Sequence, residues 1–468
     1  MGERPHRQAL LLLGHGVFLA LVGLAWKYAL IRSTFGDTAY QLFQWISQPG
    51  WDIEAHRYTA IVPQACVKLF ALIGVELRTL LLVSSLAHVL VGYGIYLLCA
   101  HVWKSPVAAF GCAVAAVLCS RLAFYSPVLE ANYLLCYPFL LIGFIERNAR
   151  AERIPRRNVA IAIVLLLVPL VVHPVGWMVM LFAVVFMFAL GWLRGRMLMA
   201  LLLISASWPL IGRWLFPPTG YEMEQYDAVV AGLRHLGSFA HWGSWEFLAI
   251  HTFSASTTYL PALLVLLAVV SGWALMNKGR LALLTFGGAM AFIFVFLVTF
   301  SAGNSAVMQD RGILPVATII ALSGAALVVR AESPRLRTLS LIMCVLVLFV
   351  KVRDVSFASR PYAKEYAATE ELIALADQQG VPRGMVDCQR LRERDVEVSW
   401  AFPVETLLRS SVRGAEQGRV LVCSDKLPPP SVLASGQVQV LQFVREVEKN
   451  GNPYFHGTDS PYETVVQH

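Results

Sequence analysis

Asp37, Asp52, Glu54, His56 and Arg57 crowd into one stretch, Leu30 to Gln64, of a chain that is otherwise poor in charge. Asp37 stands a few residues past the first long apolar run. A carboxylate there is partly dehydrated yet can still reach an incoming hydroxyl, which is what a general base needs. Around it, Tyr40, Phe43 and Ile46 recur at helical spacing, Pro49-Gly50 breaks the helix, and Tyr58, Ile61, Cys66, Leu69, Leu72 and Ile73 repeat every three or four residues. Residues 32–77 therefore predict two amphipathic helices with acids between them at the mouth of a bundle, where a lipid-borne group can meet a water-soluble one. The same pattern also describes an amphipathic loop with solvated charges. Asp52 and Glu54 would suit a divalent cation only if the loop turned both inward, and no metal site is expected.

Two histidines add candidate donors. His173 lies in His173-Pro174-Val175-Gly176, at the middle of an apolar run too long for one helix, and His56 adjoins Arg57; both are candidate hydrogen-bond donors to a bound group. Glu130, at the start of an apolar run, fits either a hydrogen-bonding role toward acceptor hydroxyls or a helix cap. His15 and His88 fall deep inside apolar runs, where a neutral histidine bonded to a neighbouring helix is the commoner case.

The elements that must position these residues are membrane spans. Of 468 residues, 57% are hydrophobic and 15% charged, so lipid has to be the main solvent and the protein is expected to be all-α and polytopic. Windows near twenty apolar residues give about eleven transmembrane helices, at residues 9–31, 78–102, 105–120, 131–146, 158–173, 175–193, 197–212, 258–276, 281–302, 312–330 and 338–352. The formal net charge of +8 sits in short connections between them. That argues for orientation in a membrane and against a nucleic-acid partner. With the N-terminus in the cytoplasm, the inner connections collect Arg4, Arg7, Lys104, Arg147, Arg150, Arg153, Arg156, Arg157, Arg194, Arg196, Lys278, Arg280, Arg330, Arg335 and Arg337. The expected setting is the plasma (inner) membrane with an uncleaved first helix. The first loop, the long loop 213–257 and everything after residue 352 then face outward. The membrane domain spans 1–352. The remainder, 353–468, changes composition: Tyr362 to Gln379 reads as a solvated helix, and GMVDC, GRVLVCSD and QVQVLQFV read as short strands of a small soluble α/β tail. Cys388 and Cys423 share the oxidising side and could pair, although sequence alone does not set their proximity.

No P-loop, dinucleotide fingerprint or CxxC pair is present, so nothing points to ATP hydrolysis, redox chemistry or structural zinc, and no cofactor is expected. The pattern of Gly36-Asp37 just after the first span, a first outer loop of two amphipathic helices, short basic inner connections and an outer tail resembles the GT-C superfamily of membrane glycosyltransferases. Those enzymes use sugars linked to polyprenyl phosphates. The resemblance covers the architecture of most of the chain, best from Met1 to about Phe216. It implies that Asp37 is the base on the acceptor hydroxyl. The second acid that some members carry beside the first is Thr38 here, so no paired motif transfers. Transfer of this kind also needs cations on the departing phosphate, which nominates Arg57, Arg121 and Arg311 with His173; Tyr40, His56 and Glu130 are the candidates for acceptor or sugar contacts. Each arginine also fits a snorkelling interfacial anchor. The expected partners are a polyprenyl-phosphate-linked sugar donor, a glycan, lipid or protein acceptor, and membrane lipids. Two other readings stay open: a transferase of the O-antigen polymerase or ligase kind using a lipid pyrophosphate donor, and a transporter or flippase, which would call for two related halves and ionisable groups at mid-membrane.

Overall fold

The structure, a computed structural model, describes residues 3–53, 57–149, 155–254, 258–424, 437–440, 443–446, 452–456 and 460–466. The chain opens with α1 (Glu3–Lys27), a short α2 (Ala29–Ser33) and α3 (Gly36–Ser47), followed by α4 (Ile61–Leu72) and α5 (Leu77–Leu97), which runs on through a π-helical turn at Leu98–Val102. Next come α6 (Pro106–Leu118), 3-10 turns at Leu122–Tyr125 and Glu130–Leu135, α7 (Pro138–Asn148), α8 (Arg156–Leu170), α9 (Gly176–Ala189) and α10 (Gly195–Leu215). The connection 213–257 is largely helical, with α11 (Gly220–Arg234) and α12 (Gly243–Phe253). The bundle closes with α13 (Leu260–Leu275), α14 (Gly279–Thr299), α15 (Ala306–Val329) and α16 (Pro334–Phe357). The tail holds α17 (Ser359–Gln378), β1 (Arg383–Val386), α18 (Cys388–Glu393), α19 (Phe402–Ser411), β2 (Val420–Cys423), β3 (Gln437–Val440), β4 (Phe443–Glu446) and β5 (Glu463–Thr464).

Each of the eleven apolar windows meets a helix, yet among the described residues five helices are long and apolar enough to cross a membrane: Pro5–Lys27, Leu77–Val102, Gly195–Leu215, Gly279–Thr299 and Ala306–Val329. Four further apolar stretches, among them α6 and α13, are shorter. The reason is local. Pro106, Pro138, Gly176 and Pro261 sit in the first turns of helices and fix their starts, so several windows of apolar residues fold as a short helix plus a turn. α6 is apolar on all sides and rich in small residues, and almost every one of them is buried. It packs along α15, itself buried at Gln309, Asp310, Arg311, Ile313, Leu314 and Pro315 and along most of its remaining length. Small residues let α6 pack closely on more than one side: Gly111 lies against Phe139 and Ala108 against Gly143, both of α7.

The tail is built on a parallel sheet in the order β2-β1-β5, with Val386 opposite Cys423. Parallel neighbours bring corresponding ends together, and Cys388 and Cys423 form a disulfide. β3 and β4 pair antiparallel in a separate hairpin. α17 is less solvated than its composition predicts. Tyr362, Glu365, Ala368, Thr369, Leu372, Ile373 and Ala376 are buried, because one end of the helix packs beneath the bundle mouth and the other covers the sheet. α3 departs further from expectation. Instead of presenting one face to the membrane surface it is buried without a break from Thr38 to Trp45. Its apolar face shares a core with α19 and Phe455 of the tail, where Tyr40, Leu42 and Phe43 meet Val404, Leu407 and Leu408. The first loop and the tail are thus two halves of one packed unit.

Candidate functional site

Asp37 occupies the first turn of α3, where the exposed backbone N–H groups of a helix start favour negative charge. The turn that places it depends on Gly36, whose φ of +51° is a left-handed conformation open to glycine at little cost. The Gly36 N–H donates to Glu405 Oε1 at 2.6 Å, so a side chain of α19 fixes the start of the helix. Trp400, in the loop before α19, donates its Nε1–H to Asp37 Oδ1 at 2.8 Å, and its ring packs on Tyr40 with centroids 5.2 Å apart. Tyr40 is 2% exposed; its ring serves that packing.

Around Asp37 the fold gathers charge from three further segments. Arg57 precedes the short turn into α4, Glu130 opens its 3-10 turn, and Arg311 lies in the first turns of α15. Arg57 Nη1 pairs with Glu130 Oε1 at 2.7 Å, and all three side chains are buried. Burial pushes the Asp37 carboxyl above its ordinary range. Arg311, the Trp400 hydrogen bond and Arg57 pull it back, and Glu130 pushes the same way as burial. His173, in the turn between α8 and α9, feels the same two cations: burial first, then Arg57 and Arg311, hold its imidazole well below the usual range, so it is neutral. Its Nδ1 accepts from the Val175 N–H at 3.3 Å, which assigns the remaining proton to Nε2. The site therefore offers one carboxylate, two guanidinium groups, a neutral imidazole donor and a second carboxylate that orients one of the arginines.

Arg121 lies in an adjoining group. Its Nη1 meets His251 Nδ1 of α12 at 2.9 Å, and burial followed by the Arg121 charge pulls that imidazole down to about 4. Asp310, the neighbour of Arg311, is fully buried: its Oδ2 accepts from the Ala123 N–H at 2.9 Å and its Oδ1 from the Tyr259 hydroxyl at 2.5 Å. These bonds clamp the start of α15 to the turn that leads to Glu130. Asp310 is thus a structural anchor for the arm that delivers Arg311. His56 and Glu54 lie outside the described residues.

Sequence reasoning singled out Asp37, Arg57, Glu130, His173 and Arg311, which converge here, and passed over Trp400, Glu405, Arg409 and Glu365. Arg409 of α19 donates to Glu365 Oε2 of α17 at 2.8 Å and to Thr34 Oγ1 and O at 3.1 Å, and stands 3.9 Å from Glu405. It ties both tail helices to the α2–α3 junction. The one available signal was a pair of acids and an arginine at helical spacing in otherwise apolar segments, such as Glu405 and Arg409 four apart. Compared with known protein families, with curated proteins and with solved structures, the chain matches none.

Proposed function

We propose that the protein is a membrane glycosyltransferase of the GT-C kind, moving a sugar from a polyprenyl-phosphate carrier to a glycan, lipid or protein acceptor outside the inner membrane, with the N-terminus cytoplasmic and the tail extracytoplasmic. One observation carries the reading: a carboxylate raised by burial stands among two buried arginines and a neutral histidine donor. A raised carboxylate is a stronger base at neutral pH, and paired guanidinium groups suit a leaving phosphate.

In the proposed step the acceptor hydroxyl attacks the sugar carbon bonded to phosphate while Asp37 takes the hydroxyl proton. The carbon–oxygen bond to phosphate breaks with its electron pair, and the phosphate leaves toward Arg57, Arg311 and the Nε2–H of His173. A single displacement inverts the sugar carbon. Trp400 and Glu405 hold the base in place, and Glu130 orients Arg57. The Arg121–His251 pair favours a second reading, the lipid-pyrophosphate transferase, whose activity would depend on Arg121 more than on Asp37.

The test incubates the purified full chain with a panel of polyprenyl-phosphate sugars and follows donor consumption. A general base contributes roughly 10²–10⁴-fold, so Asp37→Asn is expected to slow consumption by at least about 100-fold. Consumption unchanged in Asp37→Asn removes the base assignment, and no consumption of any donor shifts the reading to a transporter or flippase.

A further inference from the structure

Arg32, on α2, is 1% exposed, yet the protein leaves most of its guanidinium unanswered. Nη2 reaches the Ser85 carbonyl at a long 3.3 Å, and the Phe124 ring lies 3.8 Å from the central carbon. Nε and Nη1 have no hydrogen-bond partner, and no carboxylate pairs with the group, among the described residues. Burial lowers its pKa to about 9, with Tyr125 offsetting part of that. A charge taken out of water without a partner is costly by several kcal/mol and is retained where something else supplies the counter-charge.

The guanidinium lines a cavity of about 70 Å³ between α1, α2, α5 and the Glu130–Leu135 turn. A single water needs only about 10–15 Å³ on this measure, so the space holds a group the size of a phosphate. Two more polar atoms without partners among the described residues belong to its lining, His88 Nε2 and the Tyr137 hydroxyl. His88 keeps its other nitrogen, Nδ1, on the Tyr133 hydroxyl at 3.0 Å. The cavity also borders Phe18 and Leu21 of α1, a helix long and apolar enough to cross a membrane. A cation and two polar groups in the same lining as apolar span surface fit an anion that carries a lipid tail.

We propose that this cavity binds a phosphate group, gripped by Arg32 with His88 and Tyr137 as additional hydrogen-bonding partners. The site is separate from the group around Asp37, since Arg32 is not among the charges that act on that carboxylate, and it does not depend on the transferase reading. Three oxygens of a phosphate monoester could answer the three partnerless side chains at once, which a water cannot do while also neutralising the charge.

The test uses the full chain, delipidated in detergent, and thermal unfolding against added phosphatidic acid, diacylglycerol as the phosphate-free control, and inorganic phosphate. Phosphatidic acid is expected to raise Tm in a saturable way and diacylglycerol to leave it unchanged; Arg32→Gln abolishes the rise and Arg32→Lys keeps part of it. A rise with phosphatidic acid alone identifies the source as a lipid, and an equal rise with inorganic phosphate identifies the free anion; either supports the site. Ligand-free Arg32→Met is expected to be at least as stable as the original, because it removes an uncompensated buried charge. A ligand-free Arg32→Met that melts lower or fails to fold shows that the protein itself satisfies the arginine, and overturns the proposal. So does the absence of any phosphate-dependent rise, or a rise that survives Arg32→Gln.

Discussion

A carboxylate that faces two guanidinium groups would ordinarily titrate low, and Asp37 is instead held above its usual range because burial outweighs them. The balance has a sign that can be measured. If Asp37 is the base, activity is lost as pH falls through its pKa, so the acid limb of kcat/KM lies above the ordinary carboxylate range. Arg311→Gln removes the largest of the opposing pulls and is expected to move that limb to higher pH as well as lowering the rate; a limb that stays in place would separate Arg311 from the base. This balance explains what the sequence could and could not offer at this scale. Asp37, Glu130 and Arg311 stood out as polar groups at the ends of apolar runs, His173 at a Pro-Gly break inside one and Arg57 in the charged stretch after the first, signals that are local to each of them. Trp400 had no such signal. It is 363 positions from the carboxylate to which it donates, and a tryptophan in a polar tail looks like any other.

Among elements, the junction of α2, α3, α17 and α19 concentrates strain of an electrostatic kind. Arg409 stands between Glu365 and Glu405, so one cation serves two buried acids. Burial first and then the Glu365 charge push Glu405 up to about 8, against the pull of Arg409 and of the Ser399 and Gly36 hydrogen bonds. The folded protein therefore keeps a proton on this pair that the unfolded chain releases near pH 4.5. Across the window from there to about pH 8 the unfolded state binds fewer protons, so stability falls as pH rises, by about 1.4 kcal/mol per pH unit for one proton. It levels off above the folded pKa. Melting curves of the original and Glu405→Gln at pH 5, 6.5 and 8 read this directly: glutamine stands for the protonated acid, so the original is expected to lose stability relative to Glu405→Gln as pH rises, and a constant difference would mean that Glu405 does not hold the proton. Because Glu405 also receives the Gly36 N–H, its charge state is coupled to the segment that carries Asp37. The helix period of α3 was legible in the sequence, whereas α19 was not singled out between the tail's strands. Their partnership was not legible, since an apolar stripe states that a face is buried and leaves open what buries it.

At the scale of the whole molecule the same ambiguity explains the spans. Runs of apolar residues read as about eleven crossings, and among the described residues the structure resolves them into five helices of sufficient length and apolarity, shorter ones packed among them, and α16, which is long enough but carries charged residues at both ends, because a helix buried in protein and one buried in lipid have the same composition. The tail supplies an independent handle on orientation. Its parallel sheet brings Cys388 and Cys423 together across 35 residues of chain, and closing a loop of that length contributes about 3–4 kcal/mol in the chain-entropy account. Such a bond forms and lasts on the oxidising face of a membrane and is rare in a reducing cytosol. The proposed topology, with the tail outside, therefore predicts that both thiols resist alkylation in intact membranes and react only after reduction, while Cys388→Ser melts several degrees lower. Free, alkylatable thiols at Cys388 and Cys423 in freshly prepared membranes would put the tail in the cytoplasm. Asp37, pinned to that tail by Trp400 and Glu405, would go with it, and an acceptor outside the cell could no longer reach the base.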